Sequence, residues 1–200
     1  MKRLSLYLFL ILFTFQTPSW ADDIRDFQIE GISMGDSLLD YISKEKILSE
    51  KENSKNIYGG LGKQIFFEAY YREKAGAFEN YDYLSFFVKS DDEDFIIQAI
   101  YAVKYYLKDI DKCYIQHNEV VAELGNIFKN EKKIEEGDIK INWDPTGKSK
   151  LKRTIFNFGN GDVAAVECYD WDESMQKGDP PNPDIISVSI NKKDLYNWLN

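Results

Sequence analysis

Histidine and cysteine are scarce here: His117, Cys113 and Cys168 are all that 200 residues contain. A structural zinc site wants four ligands with close pairs, which two distant cysteines cannot supply. No metal, cofactor or cofactor motif is expected. "DPTGKSK" ends like a phosphate loop, but Asn142 stands where the required glycine should precede Gly147. Basic charge is also short. There are 25 basic against 34 acidic residues, for a net charge of −9. Such a surface repels phosphate backbones and anionic lipid, which argues against nucleic-acid or membrane-surface partners.

Long apolar runs are missing except near the start. Lys2 and Arg3 precede the greasy stretch from Leu4 to Phe15, then comes "QTPSWADD" with small Ser19 and Ala21 at alternate positions. This reads as a secretory signal peptide, 1–21, cut after Ala21. As a helix the stretch rises about 18 Å, short of a hydrocarbon core of roughly 30 Å, so no stable membrane anchor is expected after cleavage. The signal holds two basic and no acidic residues, so the mature net charge moves from −9 to −11. The remaining chain, 22–200, is expected to form a single domain in the periplasm or outside the cell. In that oxidising compartment an even pair of cysteines reads as one Cys113–Cys168 disulfide.

What is present is mostly strand pattern. "QIFFEAYYR", "YDYLSFFVK", "DFIIQAIYAVKYY", "KRTIFNF", "DVAAVECYDW" and "DIISVSI" read as strands, with "GNGD" a hairpin turn. Apolar three-and-four spacing from Ile110 to Phe128 predicts one long helix, capped by Asp109, with Cys113 and His117 on its apolar stripe. A shorter helix is predicted over 36–48, with Asp36 as its cap, and "NKKDLYNWL" closes as a short helix. Polar connections are expected at 49–62, 129–150 and 172–184. Short turns with few crossover helices give an α+β class: an antiparallel sheet with one long and one short helix packed on a face. Cys168 lies on the apolar phase of its strand, so the disulfide would tie the long helix to the sheet.

The stretch "GISMGDSLLDYIS" raises the question of catalysis. Ser33 sits in G-x-S-x-G, but too few mature residues precede it to build the strands an α/β-hydrolase needs. Gly35, Asp36, Ser37 and Leu38 spell the tetrapeptide of the GDSL esterases, and the stretch resembles that family in position, size and compartment. That resemblance implies ester hydrolysis with Ser37 as nucleophile. A serine needs a base, and the base an orienting partner. The family's D-x-x-H near the C-terminus has no counterpart, since His117 lies mid-chain with Tyr114 three positions earlier. Its G-x-N-D block is missing too. Ser37 with His117 therefore stays the alternative reading, and a glycine, a cap and paired leucines read as an ordinary helix start.

The acidic runs at Asp91–Asp94 and around Asp172 lack calcium-loop spacing and read as solvated turns. Paired carboxylates for glycoside cleavage are separated in space and invisible in sequence. Abundant tyrosines (Tyr70, Tyr83, Tyr101, Tyr105 among them) read as cross-strand packing, or as a sheet face that binds sugar or peptide. The run "DFQIEGISMGDSLLDYIS" with "VAAVECYDW" resembles a family of uncharacterised small secreted bacterial proteins whose N-termini carry F-x-I-E-G-x-S-x-G-D-S-L-L-D-Y. The strand–glycine–helix start is also similar to small outer-membrane assembly lipoproteins and to the β-lactamase-inhibitor fold, though the lipid-bearing cysteine is missing. These readings favour a non-enzymatic binding or interaction module for an unknown protein, peptide or glycan.

Overall fold

The structure is a computed structural model that describes residues 24, 27–58, 64–72, 78–107, 109–178 and 181–199. The expected signal segment, 1–21, lies outside the described residues. Nine strands are described: β1 (Gln28–Ile29), β2 (Ile32–Ser33), β3 (Phe66–Tyr71), β4 (Tyr83–Lys89), β5 (Ile97–Leu107), β6 (Lys132–Lys140), β7 (Lys150–Asn157), β8 (Val163–Asp170) and β9 (Asp184–Asn191). The helices are α1 (Lys44–Tyr58), α2 (Ile110–Ile127), α3 (Glu173–Gln176) and α4 (Lys193–Leu199).

Seven strands form one antiparallel sheet in the order β3-β4-β5-β9-β8-β7-β6, and β1 and β2 make a separate small hairpin. The class is α+β. Two meanders run inward from opposite edges, and their last strands, β5 and β9, pair at the centre. Alternate side chains of each strand point to opposite faces. On one face Phe67, Leu84, Phe86, Ile100, Ala102, Val188 and Val166 are buried beneath α2 and the N-terminal segment. α2 supplies Cys113, His117, Val121 and Leu124 to that layer, as the spacing predicts, and Asp109 caps it by accepting from the Lys112 N–H. Cys113 and Cys168 are disulfide-bonded, with Cα atoms 6.1 Å apart, which fastens α2 to β8.

Three expectations need correction. The predicted helix over 36–48 is a 3-10 turn, Leu38–Asp40, followed by α1, which starts at Lys44 and continues through the supposed connection at 49–62 as far as Tyr58. Its first turn is held by Ser43, whose hydroxyl accepts from Lys46 N. α1 was hard to see because its polar side is broad: it lies along the edge of β3, where Ser54 Oγ accepts the Glu68 N–H at 3.0 Å and Lys51 Nζ reaches Ser90 O. The first of these bonds satisfies an edge group of β3 that would otherwise template further pairing. Asp36 does not cap a helix. Its Oδ2 accepts from Ser33 N at 2.9 Å and from the Tyr41 hydroxyl at 2.8 Å, and Ser37 is the cap. The connection at 129–150 holds β6, missed because "KKIEEGDIK" is charged on both faces. That composition, with a bulge between Glu136 and Ile139, suits an outer edge strand.

The "IEGI" turn of the small hairpin places Glu30 at φ 51° and Gly31 at φ 79°. Two positive φ values in a two-residue loop make a type I′ turn, which matches the twist of the strands it joins.

Candidate functional site

The tetrapeptide at 35–38 has a structural job. Gly35 N donates to Ile97 O, Asp36 O accepts from Ile97 N, and Leu38 N donates to Phe95 O, all near 3.0 Å. Gly35 sits at φ +94°, a conformation that side chains rarely adopt. The motif therefore stitches the N-terminal segment to the chain entering β5. Ser37 Oγ donates to Asp94 O at 2.7 Å and accepts from Leu39 N at 3.3 Å. Neither an imidazole nor a carboxylate is among its partners. His117 is 2% exposed in the α2–sheet interface, with Nδ1 3.5 Å from Asn118 Oδ1. The structure does not join Ser37 to His117. Ser37→Ala is expected to cost about 1 kcal/mol through the lost cap, read as a lower urea midpoint, with no change in labelling by a fluorophosphonate probe.

His117 carries a pH effect. Burial lowers its pKa from the usual 6.5, and the Lys152 ammonium adds to this; Asn118, the Val166 backbone and Glu135 act in the opposite sense. Below 6.5 the unfolded chain takes up a proton that the folded chain resists, so stability falls with pH until the lower folded value is passed. Wild type minus His117→Gln in unfolding free energy should be flat above pH 7 and decline below 6.5. A difference that rises on acidification would contradict this.

The acidic turns are structural. Asp92 accepts from Asp94 N and Ile96 N, and Asp172 caps α3 by accepting from Ser174 N. Among the described residues no group of three His, Cys, Asp or Glu side chains could hold a metal, and no helix is long and apolar enough to cross a membrane. A cleft of about 580 Å³ lies between the small hairpin, residues 79–81 and α2. Its Glu30 carboxylate is already committed to the backbone N–H groups of Glu79 and Asn80.

Unfinished polar chemistry lies on the other sheet face, which α4 only partly covers. Register places Glu136, Arg153, Glu167, Ser187, Val103 and Tyr83 side by side in one row across β6, β7, β8, β9, β5 and β4. Arg153 Nε donates to Glu136 Oε2 at 2.6 Å, while Arg153 Nη1 stands 3.7 Å from Glu167 Oε1, beyond hydrogen-bond reach. The other Glu167 oxygen accepts from the Tyr169 hydroxyl at 3.2 Å. Burial raises the Glu167 pKa, with the guanidinium and Tyr169 pulling the other way. Burial also raises Tyr101 and Tyr169, so both phenols stay neutral. Further along the same face, opposite Val163 of β8, Asn191 is 2% exposed, donates to Ser189 Oγ and leaves Oδ1 without a partner. Tyr196 and Leu199 of α4 wall one side, and the cavity, open to solvent, measures about 190 Å³.

Aromatic rings extend this face in two directions. Toward β3, Tyr70, Tyr83 and Tyr105 form a ladder with centroids 6.0 and 5.7 Å apart, and the Arg72 guanidinium lies over the first two rings. Glu68 accepts from the hydroxyls of both Tyr58 and Tyr70. Toward the loop after β6, Tyr169 stacks on Trp171, and Trp171 meets Trp143 at 4.6 Å. Trp143 is 63% exposed. It stands beside a loop organised by Asp144, which accepts from Thr146 N and Oγ1, Lys148 N and Ser149 N. Burial opposes ionisation of that carboxylate, yet the hydrogen bonds from Thr146 and Ser149 hold its pKa well below the usual range.

The tyrosine face was legible in the sequence as a pattern. Arg153, Glu167, Asn191 and Trp143 were not singled out. Glu167 did leave a signal, being the one charged residue between Val163 and Cys168. Comparison with family models, with curated proteins and with solved structures finds no match for this chain.

Proposed function

We propose that the protein is an exported binding module, periplasmic or secreted, that works without catalysis and seats its ligand on the sheet face opposite α2. The observation that carries this reading is a cavity in which Asn191 Oδ1 is unpaired, lined also by the Arg153–Glu167 ion pair and by tyrosine rings. Buried polar groups are ordinarily satisfied, and each exception asks for a partner. Convergent polar groups in an aromatic-walled pocket are the usual form of a ligand site. The disulfide and the N-terminal segment favour an oxidising compartment, and the chain's resemblance to small secreted proteins fits the same setting. Protein, peptide and glycan ligands all suit such a face, whereas the acidity disfavours nucleic acid.

Two measurements test this. Expression with the native N-terminus should yield an exported product beginning at Asp22, and a product retaining residues 1–21 would count against export. Titration with glycan and peptide panels should change tyrosine and tryptophan fluorescence in wild type and much less in Arg153→Ala/Trp143→Ala. Ligands that bind both proteins equally would place binding elsewhere.

A further inference from the structure

We propose that the cavity between Arg153, Glu167 and Asn191 holds one ring of a neutral oligosaccharide, whose next units run along the Tyr169–Trp171–Trp143 column. This deepens the sheet-face reading and rests on it. Charge narrows the ligand first. A cation drawn to Glu167 would meet the permanent guanidinium charge of Arg153, whose Nη1 is 3.7 Å from the same carboxyl. An anion drawn to Arg153 would face Glu136, 2.6 Å from Nε, and Glu167 on the other side. A neutral hydroxyl escapes both penalties. It can accept from Arg153 and donate to Glu167 at once, bridging a gap too long for a direct hydrogen bond.

The remaining polar group points the same way. Asn191 Oδ1 is buried and unpaired in the wall of the same cavity, at the end away from Glu167, and a ligand donor there would satisfy it. A sugar ring carries several hydroxyls, each both donor and acceptor, on an apolar ring face that suits tyrosine walls. Size fits one ring. The cavity, about 190 Å³, is smaller than the roughly 300–1,000 Å³ of sites that enclose drug-sized ligands. The ligand must then continue outside, and the aromatic column leads from Tyr169 in the cavity wall to Trp143 on the surface. A solvent-exposed tryptophan at the end of such a column is a platform for a second ring.

Calorimetric titration of the mature protein at pH 7 with cellotetraose, maltotetraose and chitotetraose tests the inference. At least one should bind with Kd of 10 mM or tighter. The cationic glucosamine tetramer and the anionic galacturonate tetramer should bind at least tenfold more weakly. Trp143→Ala should weaken the neutral ligand about tenfold without moving the unfolding midpoint, and Arg153→Met should weaken it further. Charged tetramers that bind as well as neutral ones would overturn the inference. So would failure of all three neutral sugars. If a peptide then binds and Trp143→Ala weakens it, the sheet-face reading survives and the glycan does not. If no sugar or peptide responds to either substitution, both fall together.

Discussion

Replacing Cys113 and Cys168 together by alanine is expected to lower the unfolding free energy by about 4 kcal/mol. The bond closes a loop of 55 residues, and in the chain-entropy model that closure removes conformational freedom chiefly from the unfolded chain. It also holds α2 against β8 at a point where both cysteines are fully buried. The loop it closes contains most of α2 and all of β6 and β7, so the unfolded ensemble of the double variant gains much of the chain between the two halves of the sheet. Urea titration of wild type, reduced wild type and the double variant measures this. A loss under 1 kcal/mol would mean that the unfolded chain is already confined in the same way.

Phe86→Ala should be as costly, about 3–5 kcal/mol. Phe86 lies on β4 between Ala69 of β3 and Ile100 of β5, fully buried, in the layer beneath the N-terminal segment and α2. Its neighbours are fixed by backbone pairing on both sides, so they cannot close on the vacated space, and the residual cavity adds to the lost transfer energy. Tyr105→Ala on the open face is the contrast: that ring is 39% exposed, and its loss should cost much less. Equal urea midpoints for the two variants would contradict the assignment of the core to the α2 side.

Glu167 and Phe86 show how differently the two faces could be read in advance. Phe86 belongs to a strand whose alternation is plain, and a period of two fixes which residues face the core whatever else the chain does. α2 was equally open to reading, since Cys113, His117, Val121 and Leu124 recur at helical spacing. α1 was obscured because a helix laid along a sheet edge buries few apolar side chains. Its partners are backbone groups of β3 and of the turn after β4, which leave no periodic trace. β6 was obscured for a related reason, as an outer strand needs charge to stay unpaired on its free side. "GDSL" misled in the opposite direction. Its four letters imply chemistry when read alone, yet in space they are spent on hydrogen bonds to the chain before β5.

By itself the sequence determined the α+β class, the inner strands, the long helix, the GNGD hairpin turn between β7 and β8, and the disulfide, because each follows from local periodicity, local turn chemistry or cysteine count. Only the tertiary structure decided that Glu136, Arg153 and Glu167 share a row, that Asn191 keeps an unpaired oxygen in the wall of the same cavity, and that Trp143 ends a column of rings. Strand order and register bring those side chains together across β6, β7, β8 and β9. Register is a property of paired chains, set by packing on the opposite face, so no single stretch of residues carries it.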